Sequence, residues 1–223
     1  MLQFWHMIDL PLFPLSSVLF PGGTLPLHIF EERYKLMIGE CVAQQSPFGV
    51  VLIKSGKEVG GPAEPYDVGT TARIARVQHL PDGRMNLVAV GSERFRIGEI
   101  TQRRPFLRAR VEILRDDDAT TPVNAERAER VSALYGEYYR TALALTEQWQ
   151  LRVALPEDPR AIADFVAGRV EAEALLKQRL LEELSVSERL RAEEGLLQQA
   201  LQLLTEQLAA ARRQKYSGLG ALN

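Results

Sequence analysis

Hydrophobic and polar positions follow one rhythm up to about residue 115 and another beyond it. Within Phe106 to Leu114, Leu107, Ala109, Val111 and Ile113 alternate with Arg108, Arg110 and Glu112. A period of two predicts a strand with one face buried. Phe48 to Lys54 is a short run of β-branched and apolar residues with a Ser55-Gly56 turn behind it. Thr71 to His79 and Arg84 to Gly91 flank Leu80-Pro81-Asp82-Gly83, and Asp-Gly between two apolar runs predicts a hairpin. Arg94 to Ile100 is read as a further strand. Leu10 to Tyr34 joins two apolar runs through Phe20-Pro21-Gly22-Gly23. Proline lacks an amide hydrogen, so these runs are expected to be short edge strands. One helix interrupts the strands: from Phe30, apolar residues recur at Tyr34, Met37, Ile38, Cys41 and Val42, along one helical face.

At Asp116-Asp117-Asp118-Ala119-Thr120-Thr121-Pro122 the pattern breaks into a polar linker, and the period becomes helical. Ala128, Val131, Leu134, Tyr135, Tyr138, Ala142 and Leu145 form one face, and Pro156 closes that region. Asp158 before Pro159 predicts a helix start, with a carboxylate cap and a proline pre-set at the first position. Ser185 and Glu188 have capping-box spacing. Leu190, Leu197, Leu201, Leu204 and Leu208 then continue to about Arg213, a stripe that calls for a bundle or a partner helix. Tyr216 to Asn223 is expected to be a flexible tail. Short strands, frequent turns and one inserted helix point to a barrel-like unit followed by helices.

Composition changes this picture little. The 223 residues are 46% hydrophobic and 25% charged, enough to bury a core without a metal or disulfide staple. The net charge of -2 gives no basic footprint for nucleic acid, so nucleic-acid binding is not the expected role. One cysteine, Cys41, excludes an internal disulfide and fits a reducing compartment. Neither a signal peptide nor an apolar stretch of membrane-spanning length is expected, which makes the cytoplasm the default location.

Three stretches carry a resemblance to a known family. They are Leu10 to Tyr34 (LPLFPLSSVLFPGGTLPLHIFEERY), Pro47 to Gly60 (PFGVVLIKSGKEVG) and Tyr66 to Ile97 (YDVGTTARIARVQHLPDGRMNLVAVGSERFRI). ALPEDPRAIADFVA from Ala154 and LLKQRLLEELSVSERL from Leu175 extend it into the helical half. In this order and spacing they resemble the Lon protease N-terminal domain, and the wording HIFEERY and PFGVVLI is similar to its stand-alone members. The resemblance implies an α+β chain: a PUA-like β-barrel domain over 1–117 with one inserted helix, and a C-terminal helical bundle over 118–215. It further implies a non-enzymatic module that binds unfolded or client polypeptide, with a separate protease or ATPase as possible partner. No G-x-x-x-x-G-K-[ST] loop occurs in the sequence, nor a recognisable nucleophile motif. No cofactor and no metal site are expected.

Candidate residues divide into two sets. Phe13, Leu19, Phe20, Pro21, Leu25 and His28 are the apolar and edge candidates for polypeptide capture, along strand edges that could accept an added strand. Arg94, Arg96, Arg103, Arg104, Arg108 and Arg110, interleaved with Phe95 and Phe106, are the alternative RNA-binding set. The bland readings stand beside them. Cys41 sits on an apolar helix face, Ser16 and Ser17 belong to a turn, and Asp116 to Asp118 form a solvated linker. His6, His28 and His79 lie too far apart for ligand spacing. The leucine stripe from Leu190 makes a homodimer or adaptor the third expectation.

Overall fold

The computed structural model describes residues 7–118, 121–146 and 153–217. Six strands come first: β1 (Met7–Leu15), β2 (Thr24–Ile29), β3 (Phe48–Gly56), β4 (Ala63–His79), β5 (Met85–Gln102) and β6 (Leu107–Ile113). Helix α1 (Glu32–Gln44) lies between β2 and β3. Four helices follow: α2 (Pro122–Leu145), α3 (Pro159–Arg169), α4 (Ala174–Glu182) and α5 (Val186–Ser217). No helix among the described residues is long and apolar enough to cross a membrane. His6 and the end of the expected tail, from 218 on, lie outside the described residues, and α5 runs through Ser217 rather than ending near Arg213.

The chain forms two compact units: residues up to Asp116 together with Ala172–Leu184, and Asp117–Glu171 together with residues from Ser185. In the first unit the sheet runs β2-β5-β4-β3-β1-β6, and β6 also pairs with β5. The pairings β1–β3–β4–β5–β6–β1 therefore close a ring, with β2 outside it against the first part of β5. The Asp82-Gly83 hairpin forms as expected, with the Leu80 amide donating to Arg84 at 2.8 Å. The two strands expected over Arg84–Gly91 and Arg94–Ile100 are one long strand, β5. Its first half pairs with β2 and β4 and its second half with β6.

β1 corrects the expectation of an edge strand. It lies between β6 and β3, and its prolines fit because the neighbours change along its length. Pro11 pairs with Arg108 of β6 before β3 begins, and Pro14 pairs with Val51 of β3 after β6 has ended. Each proline thus has one open side for its missing donor. The interior of the ring holds Leu10, Leu12, Val51, Phe95, Ala109 and Val111. Phe95 is fully buried there, and a Cβ built at Gly49 or Gly69 would lie 2.7 Å from its ring. Those two glycines make room for the one aromatic side chain of this cluster. A second cluster, including Phe13, Tyr34, Met37, Ile38, Cys41 and Phe48, joins the buried face of α1 to the sheet.

α4 belongs to the first unit, with Leu180 and Leu181 buried and two hydrogen bonds to the strands. Gln178 donates to the Val68 carbonyl at 3.0 Å, and buried Arg94 donates to the Leu181 carbonyl at 3.0 Å. Arg94 also faces Asp116 at 3.8 Å, with side chains 4% and 6% exposed. The acidic run is thus not a uniformly solvated linker: Asp116 is a buried ion-pair partner. Asp118 accepts hydrogen bonds from the amides of Val186 (2.6 Å) and Ser187 (3.3 Å) and from the Ser185 hydroxyl (3.0 Å).

In the second unit α2, α3 and α5 share apolar faces. Ala128, Val131, Tyr135 and Tyr138 are buried on α2, Ile162, Ala163 and Val166 on α3, and Val186, Leu190 and Leu197 on α5. Tyr135 meets Phe165 edge-on at 5.6 Å. The expected caps form: Asp158 accepts the Ala161 amide at 2.9 Å, and Ser185 accepts the Glu188 amide at 3.2 Å.

Candidate polypeptide-binding surface

The apolar set proposed from sequence splits by burial. Phe13 and Leu19 are 6% exposed and Phe20 1%. Phe13 stacks on Tyr34 with centroids 4.1 Å apart. These three side chains build the core and have no face to offer a ligand, which corrects the reading of them as contact residues. Pro21 and Leu25 are half-buried, and Leu25 packs on the core. His28 is exposed, and its Nδ1 lies 2.7 Å from Asn86 Oδ1. Arg84 Nη1 approaches Nε2 at 3.5 Å. Phe30, placed by its spacing on the buried face of α1, is 46% exposed and stacks on His28 at 6.1 Å.

β2 is an edge strand, as expected. The Gly91 amide donates to the Gly23 carbonyl at 2.9 Å. By antiparallel alternation, Leu25 and Leu27 then turn their peptide groups to β5, and Thr24, Pro26 and His28 turn theirs outward. Pro26 has no amide hydrogen, so the middle of this edge lacks a donor. Natural sheets use proline in this way to discourage strand addition.

The arginine set is dispersed and largely paired. Arg94 is buried, as above. Arg103 meets Glu64 at 2.6 Å, Arg110 meets Glu99 at 3.2 Å, and Arg108 meets Asp9 at 2.9 Å and Glu40 at 3.5 Å. Arg96 lines one cleft with Lys54 and Tyr66, whereas Arg103 and Arg104 line another beside Tyr34 and Phe106. Carboxylates beside the guanidinium groups offset the field a phosphate backbone requires.

A different open edge emerges at β1. β6 pairs along Met7 to Leu12, whereas β3 pairs only from Leu12 onward. Among the described residues, Met7 to Pro11 carry no strand on the β3 side. A cleft of about 290 Å³ lies there, lined by Ile8 to Pro11, by Glu40, Cys41 and Gln44 of α1, and by Ser46, Pro47 and Arg108. Cys41 is 2% exposed and burial pushes its thiol up, so it stays a neutral apolar surface rather than a nucleophile. Met7, Ile8 and nearby Val42 are 49%, 36% and 37% exposed. Helical spacing had placed Val42 on the buried face. No sequence signal marks this edge, because it follows from where β3 stops pairing.

Comparison with known proteins agrees with this architecture. The profile of the ATP-dependent protease La (LON) substrate-binding domain matches residues 9–199. The chain is 30% identical over 205 residues to a Lon protease of Anaeromyxobacter dehalogenans and 31% identical over 205 residues to Lon protease 2 of Myxococcus xanthus. In both cases 87% of this chain is covered, and it spans about a quarter (24%) of the relative's length. A Lon N-terminal domain protein from Xanthomonas campestris superimposes with a TM-score of 0.61 at 27% identity, covering 83% of this chain and 96% of the other. The N-terminal domain of a Mycobacterium avium complex Lon protease gives 0.63 at 21% identity, covering 86% and 98%, which speaks for the fold alone. The matched region is the substrate-binding domain, with no ATPase or protease domain in the match. The chain belongs to the Lon substrate-binding domain family.

Proposed function

We propose that this chain is a non-enzymatic polypeptide-recognition module that binds client or partner proteins. The family match over residues 9–199 carries the reading, because the matched domain is described by substrate binding. On this reading the closed ring of strands is a PUA-like barrel and the second unit a helical bundle. The chain works in the cytoplasm and presents clients to a separate protease or ATPase. Exposed apolar side chains on the first unit, among them Ile8, Phe30, Leu36 and Val42, supply the contact surface. Fluorescence anisotropy of a labelled, permanently unfolded polypeptide tests this. Saturable binding that survives raised salt is the expected result, and absence of binding at high protein concentration refutes it.

A second reading rests on α5, where Leu203 is 60% exposed and Leu201, Leu204 and Leu208 are half-buried. This stripe would pair two copies of the chain. A molar mass that stays at the monomer value across concentrations excludes it.

A further inference from the structure

We infer that the open half of β1 is the docking edge for an extended, positively charged client segment, which adds as a strand beside Met7 to Pro11. The inference rests on the polypeptide-binding reading and names where and what is bound. Unpaired peptide groups of a strand satisfy an incoming chain, and a pocket beside the edge then selects its side chains. Both parts are present here. Among the described residues, no strand pairs with Met7 to Pro11 on the β3 side, and the 290 Å³ cleft borders that same stretch. Leu10, Pro11, Cys41 and Pro47 give the cleft an apolar lining. On β2 the outward donor series is interrupted in the middle by Pro26; on β1 the proline, Pro11, comes last, so Met7 and Asp9, the alternate residues before it that face the open side, keep their donors.

Charge selects the occupant. Asp9 and Glu40 flank the cleft and share one cation, Arg108, at 2.9 and 3.5 Å. One negative charge is left over. α1 ends here as well, at Gln44, with no basic residue in its last turn. The carbonyl end of a helix is a negative pole that favours cations. A segment alternating apolar residues with lysine or arginine matches this edge, and an acidic segment is repelled by it.

The test uses the full chain and labelled ten-residue peptides of alternating leucine and lysine, with a leucine–glutamate counterpart. Two further lysine peptides are N-methylated on alternate residues, one in each register. The lysine peptide is expected to bind about tenfold tighter than the glutamate peptide, a factor equivalent to about 1.4 kcal/mol. Methylation in one register should abolish binding, and methylation in the other should leave it intact, because only alternate amides of an added strand face the edge. Asp9→Asn and Glu40→Gln should each weaken the lysine peptide and leave the far-ultraviolet spectrum unchanged. Equal binding of the two charge types, or indifference to methylation in both registers, overturns the inference. If the unfolded polypeptide still binds under that outcome, only this assignment fails; if no polypeptide binds, the broader reading fails with it.

Discussion

Asp118 offers a quantitative test of how the second unit is held together. Its carboxylate accepts from the amides of Val186 and Ser187, two of the orphan donors at the start of α5, and from the Ser185 hydroxyl. Ser185 in turn accepts the Glu188 amide, so one carboxylate and one hydroxyl together satisfy the first turn of a 32-residue helix. Removing a capping side chain costs about 1 kcal/mol, and losing a negative charge at a helix N-terminus adds roughly 0.5–1 kcal/mol. Asp118→Ala should therefore destabilise the second unit by about 2 kcal/mol at neutral pH. At a urea dependence of about 1–3 kcal/mol/M, this lowers the midpoint by roughly 1 M. Asp118→Asn keeps an acceptor and should lose only the charge-dependent part. Partial burial works against ionisation here, but hydrogen bonds from Ser185, Val186 and Ser187 outweigh it and hold the carboxyl below its ordinary 3.8. A carboxyl depressed in the folded state contributes its stability above the unfolded value and loses it as pH falls through the folded one. The difference between wild type and Asp118→Ala should be full at pH 7 and shrink below pH 3.8. Urea titrations followed by circular dichroism at pH 7 and in acid measure both. A loss under about 0.3 kcal/mol at pH 7, far below the usual cap contribution, would refute the argument.

Other substitutions test other parts of the structure. Phe95→Ala opens a cavity in the interior of the strand ring and should cost about 3–5 kcal/mol in chemical denaturation; a loss below 1 kcal/mol would mean that the ring collapses around the gap. Arg94→Met leaves the Asp116 carboxylate buried without its guanidinium and the Leu181 carbonyl without its donor. Its expected cost is about 3 kcal/mol, and an unchanged melting temperature would argue against a stabilising role for that pair. Because four of the six arginines of the RNA-binding set face carboxylates, single-stranded RNA should show no saturable anisotropy change even at low salt. Saturable, salt-sensitive binding there would return the Arg96 and Arg104 surfaces to consideration.

Local chemistry in the sequence was a good guide wherever neighbours in the chain decide the outcome. Leu80 to Gly83 made the hairpin, Asp158-Pro159 started α3, and the Ser185–Glu188 pair started α5. Long-range partners decided the rest. The parallel pairing of β1 with β3 has no local signature, so two prolines made β1 look like an edge. Phe13, Leu19 and Phe20 looked like contact residues in a proline-rich run, but all three are buried, Phe13 and Leu19 in the cluster that holds α1 residues and Leu87 and Ala89 of β5. Phe30 and Val42 carried helical spacing and are exposed, since periodicity identifies a face without fixing its width. The β1 cleft was hidden for the same reason: its residues come from β1, α1 and β6, and only the register of β3 shows that the edge is left open.

The placement of α4 sets an order of events on a growing chain. β1 is made before its partners Gly49–Leu52 and Leu107–Glu112, and the helix that bonds Val68 and Arg94 comes later still. All of α2 and α3 is synthesised before Ala174–Glu182 completes the first unit. Strand β1 therefore stays without β6 until Leu107–Glu112 is made, and the bonds of α4 to Val68 and Arg94 form only after α2 and α3 have followed. Closing the first unit thus waits on a helix made after α2 and α3 of the second.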